Sequence, residues 1–131
     1  MKLFFDEDQG KGISEALHAV GITSDYVGPG RRIKKGTPDE EWIPLIGQRG
    51  DLVITGNKEI LRTEAQRGLW IQNGVGGVFL TTNHMTALNE LRLLLRKLAW
   101  LERIDREERR PFAFMLTPTG KTRQAPEVPL L

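Results

Sequence analysis

Leu52-Val53-Ile54, continued by the β-branched Thr55, is an unbroken run of strand formers rather than a polar-apolar alternation, and it constrains the fold more than any other stretch of the chain. Side chains along a strand point alternately to opposite faces, so a strand with no polar alternation is buried on both. A sheet buried on both faces needs one layer of helices above it and another below. That is the habit of parallel strands joined by helical crossovers.

The rest of the chain supplies the layers in order. Lys2-Leu3-Phe4-Phe5 reads as a first short buried strand that delivers Asp6 to a sheet edge. Ile13, Ala16, Leu17 and Val20 then share one helical face, with Gly21 as the stop. Asp25-Tyr26-Val27 is a candidate second strand, and the Gly-Pro-Gly-Arg-Arg-Ile-Lys-Lys-Gly stretch over residues 28–36 is a loop. Thr37-Pro38-Asp39-Glu40 predicts a helix start, with Thr37 as N-cap, Pro38 at the first helical position and Glu40 closing a capping box. Trp42, Leu45 and Ile46 mark that helix's buried face, and Gly47 and Gly50 its end.

After the central run, residues 61–73 predict a helix with Leu61, Ala65, Leu69 and Trp70 on one side. Residues 75–82 are β-rich. Thr86 caps a predicted long helix over residues 87–107, where Leu88, Leu91, Leu95, Leu98 and Leu101 repeat at three- and four-residue spacing. Pro111 blocks its continuation, and residues 112–117 read as a last strand. The alternation predicts an α/β three-layer sandwich, with a mainly parallel central sheet and helices on both faces, over residues 1–123. Residues 124–131, with two prolines, read as a flexible tail.

In such sheets the functional crevice lies at the carboxyl ends of the strands. The residues there are Asp6, Glu7 and Asp8, then Asn57 and Lys58, then Thr81, Thr82 and Asn83. The absence of cysteine excludes disulfides, Cys-ligated zinc, iron–sulfur clusters and thiol nucleophiles. Three apolar residues before an acidic triplet fall short of a secretory signal, and Glu90, Arg92, Arg96 and Lys97 interrupt the longest apolar stretch. The expectation is a cytoplasmic protein with no membrane partner.

Lys and Arg total 19 against 17 Asp and Glu, so the balance says little, but the charges are segregated. Three acids fall within residues 1–8, and Arg31, Arg32, Lys34 and Lys35 fall within residues 30–36 with no acid. Such clusters are ordinarily solvated surface. An acidic patch beside separate basic ones is also what a metal-dependent enzyme acting on a polyanion needs. Gathered carboxylates offer hard oxygen ligands, which suit Mg²⁺ or Mn²⁺. Acids in a helix's first turn are favoured by its dipole alone, so the capping box fully explains Glu40. His18 and His84 have no second His or Cys at ligand spacing, and Trp42, Trp70 and Trp100 sit at or beside helical core positions.

Phe4-Phe5-Asp6-Glu7, Asp39-Glu40-Glu41-Trp42-Ile43-Pro44-Leu45, Arg49-Gly50 and Val53-Ile54-Thr55-Gly56-Asn57-Lys58-Glu59-Ile60 follow one another in this order. With Pro111-Phe112-Ala113-Phe114 and Thr119-Gly120-Lys121, they resemble the PIN-like domain of VapC-type toxins, a compact branch of the PIN superfamily. The resemblance runs over roughly residues 1–123. It implies a metal-dependent endoribonuclease, the toxin of a type II toxin–antitoxin pair. Acids at the strand ends would hold Mg²⁺ or Mn²⁺, and metal-activated water would attack an RNA phosphodiester.

Carried over residue by residue, Asp6 matches the acid after the first strand and Asp39 the acid opening the helix before the central strand. Asn57 falls where the family has Asp in a Thr-Arg-Asp-Lys-like turn, and Gly56 replaces the usual basic residue. The implied catalytic set is Asp6, Asp39 and Asn57, with Glu7 and Glu40 as further metal ligands. Lys58 and Arg62 are the near candidates for RNA phosphate, and Arg31, Arg32, Lys34 and Lys35 the distant ones. Asn57 can offer a carbonyl oxygen but no charge, so the alternative is a catalytically impaired member that binds RNA or a protein. A phosphorylation receiver, matched in part by Asp6-Glu7, Asn57, Thr81 and Lys121, ranks lower because its phosphorylatable Asp is the residue missing. The leucine face of the long helix, with Leu94 and Trp100 beside it, is a candidate surface for a homodimer or a cognate antitoxin.

Overall fold

The computed structural model describes residues 1–6, 10–28, 31, 33–82 and 84–130. In chain order these form β1 (Leu3–Phe5), α1 (Gly10–Ala19), β2 (Ser24–Tyr26), α2 (Asp39–Arg49), β3 (Leu52–Thr55) and α3 (Glu59–Arg62). There follow α4 (Glu64–Gln72), β4 (Gly76–Leu80), α5 (Ala87–Arg96), α6 (Leu98–Glu107), β5 (Phe112–Leu116) and β6 (Thr122–Gln124). One sheet has the order β2-β1-β3-β4-β5-β6, parallel throughout except for β6 against β5.

The central run behaves as its composition requires. Leu52 and Ile54 pack with Ile13 and Leu17 of α1, Leu93 and Leu94 of α5, and Leu101 and Ile104 of α6. Val53, between them, packs on the other face with Trp42, Ile43 and Ile46 of α2, Ile60 and Leu61 of α3, and Trp70 of α4. Two apolar clusters thus lie on opposite faces of one sheet, which is the expected three-layer sandwich. Burying each large apolar side chain contributes about 1.5–3 kcal/mol, so both faces are needed to offset the ordering of a chain this size.

The glycines of β4 have a packing reason. A β-carbon on Gly77 would lie 2.7 Å from the Trp70 ring, and one on Gly76 would lie 2.6 Å from the Phe112 ring. Each aromatic ring lies where a side chain of the strand would otherwise stand. Trp70 Nε1 also donates to the Phe112 carbonyl at 3.2 Å, which ties the ring's position to β5.

Several local expectations are corrected. The capping box does not form: Thr37 donates its hydroxyl to the Lys34 carbonyl at 2.6 Å, and Pro38 takes the N-cap position of α2. The Pro38 carbonyl instead accepts the amides of Glu41 and Trp42. Gly47 lies inside α2, where a β-carbon would come within 2.3 Å of the Asn73 carbonyl oxygen, so it serves helix packing. Gly50, at φ 72°, is the left-handed stop, and its N–H bonds Ile46.

The two long predicted helices are each broken in two. Thr63 is extended between α3 and α4, and Lys97 separates α5 from α6. The buried face of α5 is rotated from the expected stripe, because Glu90, Leu93 and Leu94 point inward while Leu88 and Leu95 are 56% and 44% exposed. Val20, beyond the end of α1, is exposed as well. Ser14 takes an inward place instead, bonded to the Ser24 hydroxyl at 2.7 Å.

Residues 125–128 pack rather than fray. The Ala125 amide donates to the Ala113 carbonyl at 2.8 Å, the Gln124 side chain donates to the Val128 carbonyl, and Ala125 and Val128 are fully buried. A small and a branched apolar residue at three-residue spacing give this segment an anchor despite its prolines. No helix among the described residues is long and apolar enough to cross a membrane.

Candidate active site at the carboxyl edge of the sheet

Asp6 follows β1 directly, and Asn57 stands two residues beyond β3, the strand paired with β1 through Phe5 and Ile54. Adjacent parallel strands therefore bring the two side chains to the same edge. Asp39 comes to it from elsewhere, as the first residue of α2. All three line one pocket of about 180 Å³, together with Lys35, Gly36, Thr37 and Trp42. One basic candidate, Lys35, thus stands with the acids rather than apart from them.

Hydrogen bonds hold these groups. The buried Thr55 hydroxyl donates to Asp6 Oδ2 at 3.0 Å and accepts the Asn57 amide at 2.9 Å. Asn57 Oδ1 in turn accepts the Glu59 amide at 3.2 Å, which ties the turn to the start of α3. On the other side, Asp39 Oδ1 accepts Trp42 Nε1 at 2.8 Å and Asp39 Oδ2 accepts Gln66 Nε2 at 2.7 Å.

Thr55, Trp42 and Gln66 are site residues that sequence reasoning missed. Trp42 was legible only as core, although its three-residue spacing from Asp39 puts an indole N–H within reach of that carboxylate. Gln66 lies 27 residues from Asp39, on α4, and no local pattern announces it.

The other candidates are dispersed. Glu40 is exposed in the first turn of α2 and does not line the pocket. Glu7 and Arg32 lie outside the described residues, as do Asp8 and Asn83. Lys58 reaches along the edge to the Thr81 carbonyl, its Nζ at 2.7 Å. Arg62 pairs with Glu59 in the open, and Lys34 is exposed.

Arg31 is engaged structurally. It hydrogen-bonds Asp25 through Nε at 2.9 Å, while its guanidinium stacks over the Tyr26 ring at 4.6 Å. Arg49 joins Asp25 to the buried Asp51. Burial alone would raise Asp25, but hydrogen bonds from Arg31, the Tyr26 amide and Arg49 outweigh it and hold this carboxyl below its ordinary value. Asp51 goes the other way, pushed up by burial against the pull of Arg49.

Among the described residues no three His, Asp or Glu side chains cluster tightly enough to form a complete metal cage. The pocket's donors are two carboxylates and an amide oxygen, all hard oxygens of the kind Mg²⁺ and Mn²⁺ accept. An ionised carboxylate offers about four acceptor positions, so the bonds from Trp42 and Gln66 leave Asp39 room for a cation. The donor set fits such an ion in kind, with less charge than three carboxylates would give.

A family model described as PIN like domain matches residues 1–82. The chain belongs to the PIN-like domain family. The matched residues take in β1 to β4 of this PIN-like domain and Asp6, Asp39 and Asn57 of the pocket. The fold is thus of a nuclease type, in a family whose members usually bind divalent metals. No curated protein and no solved structure matches the chain significantly.

Proposed function

We propose that this PIN-like domain is a Mg²⁺- or Mn²⁺-dependent endoribonuclease, the cytoplasmic toxin of a VapC-type toxin–antitoxin pair. One observation carries the reading: Asp6, Asp39 and Asn57, remote in sequence, line a single pocket at the carboxyl edge of the sheet. Asp6 and Asp39 would hold the metal with the amide oxygen of Asn57, and Glu7 is a further candidate ligand. A bound divalent ion supplies polarisation of the scissile phosphate and a lowered pKa for water.

The chain's own groups prepare that chemistry. Thr55 orients Asp6, while Trp42 and Gln66 fix the plane of the Asp39 carboxylate, so neither acid has to be ordered when substrate arrives. Lys35 places a positive charge at the pocket wall, where an RNA phosphate can meet it. Lys58 keeps its charge at the same edge through its bond to Thr81. The domain extends beyond residue 82 to β6 and the packed segment after it, and the exposed Leu88 and Leu95 of α5 are the proposed contact for the antitoxin or a second copy.

Asn57 favours a second reading, a domain that binds RNA or protein without cutting it, because its oxygen already accepts the Glu59 amide and carries no charge. RNA cleavage by Asn57→Asp separates the two. An enzyme short of one ligand charge should need less Mn²⁺ for half-maximal cleavage after this change, and Asp39→Ala should cut neither with nor without it. Failure of both the given chain and Asn57→Asp to cut leaves the binding reading.

A further inference from the structure

A second groove opens on the same sheet edge, on the far side of β4 from the acidic pocket. Its volume is about 450 Å³, and Thr82, His84, Arg92, Arg96 and Pro118 are among the residues around it. Thr82 stands two residues beyond β4 and Pro118 two beyond β5, so the groove continues the line of strand ends on which Asp6 and Asn57 lie. Lys58 bridges the two places, rooted beside Asn57 and bonded to the Thr81 carbonyl at 2.7 Å.

The charge of this groove is of one sign. Among the described residues no Asp or Glu lines it, and Glu90 of α5 is buried away from solvent. The ion pairs found among the described residues occupy Arg31, Arg49, Arg62, Arg106 and Arg110, whereas Arg92 and Arg96 make hydrogen bonds only to neutral oxygens. Arg92 bonds Asn89 Oδ1 at 3.4 Å and Arg96 the Pro118 carbonyl at 3.3 Å, long contacts that an anion could replace. Four residues apart on α5, the two side chains rise about 5–6 Å from one another at their β-carbons, so both can reach one strand of a polyanion.

We infer that this groove binds the phosphate backbone of single-stranded RNA, with Arg92 and Arg96 as its phosphate contacts. Guanidinium groups suit phosphate because two N–H donors can face two oxygens of one group. The inference rests on the nuclease reading for its direction: an RNA bound in the groove would pass Lys58 and present a phosphate to the acidic pocket. It also concerns binding by itself, and binding can be measured where no cleavage occurs.

The test is anisotropy of a labelled single-stranded RNA titrated with the full chain in EDTA, over about 50 to about 200 mM salt. Arg92→Ala/Arg96→Ala should weaken binding about tenfold or more at the low-salt end and flatten the salt dependence by about 0.7 per lost contact. Arg103→Ala/Arg109→Ala, which removes equal charge from exposed sites on and after α6, should change binding less than about twofold. Absent RNA binding, equal losses in both variants, or unchanged binding by the α5 variant would overturn the proposal. So would tighter binding of labelled polyglutamate than of RNA through the same two arginines, which would make an acidic protein segment the occupant. A chain that binds RNA through Arg92 and Arg96 yet cuts none with any metal would keep the groove and remove the nuclease reading alone.

Discussion

Gln66 of α4 donates its side-chain amide to Asp39 Oδ2 at 2.7 Å, while Trp42 holds the other oxygen of the same carboxylate. Helices that are separate in sequence thus converge on one acid. If Asp39 holds a metal, Gln66 acts through it as a positioning residue. Gln66→Ala should then raise the Mn²⁺ concentration needed for half-maximal RNA cleavage by about 10- to 100-fold, the usual cost of losing such support. Stability should fall by only about 1 kcal/mol. A metal titration read beside a melting curve separates the two effects; a change in stability with no change in metal requirement would remove Gln66 from the site.

Packing on β4 yields a sharper contrast. Gly77→Ala places a methyl group 2.7 Å from the buried Trp70 ring, so it should destabilise by about 1–3 kcal/mol. Gly68→Ala, on α4 with no atom within 4 Å of the added carbon, should stabilise by about 0.5–1 kcal/mol through helix propensity. Urea denaturation of the two variants checks both signs at once.

The Asp25 network sets a pH dependence. Because Asp25 is held below its ordinary value in the folded chain, its contribution is present above the unfolded pKa and is lost as pH falls through the lower folded one. Asp25→Asn should therefore destabilise by about 1–3 kcal/mol at neutral pH, with the gap to the given chain closing in acid. Asp51 has the opposite sign: its raised pKa favours the folded state below the unfolded value and disfavours it as pH rises. The difference between the given chain and Asp51→Asn should shift in that opposite sense. Denaturation midpoints from neutral to acid pH read both trends.

Much of this architecture was legible because a short, β-branched apolar run bounded by turn residues fits a strand buried on both faces. Leu52 to Thr55 demanded two helical layers, and the sequence periodicities supplied elements for both. What escaped were choices decided by tertiary contact. The Thr37 hydroxyl could cap α2 or close the preceding turn, and the bond to Lys34 won. The α5 stripe could turn either of two apolar faces inward, and the one with Leu93 and Leu94 fits the α1 side of the sheet. The breaks at Thr63 and Lys97 have no Pro or Gly to announce them.

At the site, the residues at strand ends could be read from topology alone, since parallel strands align their carboxyl ends. Asp39 needed the resemblance, because it arrives from a helix start. Gln66 needed the structure, and the groove along α5 needed both the strand order and the exposure of Arg92 and Arg96.

Under the proposed reading, the pocket holding Asp6, Asp39 and Asn57 cuts RNA with a divalent metal. Its most direct test is cleavage of a single-stranded RNA by the purified chain with Mn²⁺, beside Asp6→Ala and an EDTA control. Cleavage by the given chain is expected under that reading, abolished by EDTA and reduced at least about 100-fold in Asp6→Ala. Cleavage that persists undiminished in Asp6→Ala, or no cleavage by the given chain or Asn57→Asp under any divalent metal, would contradict it.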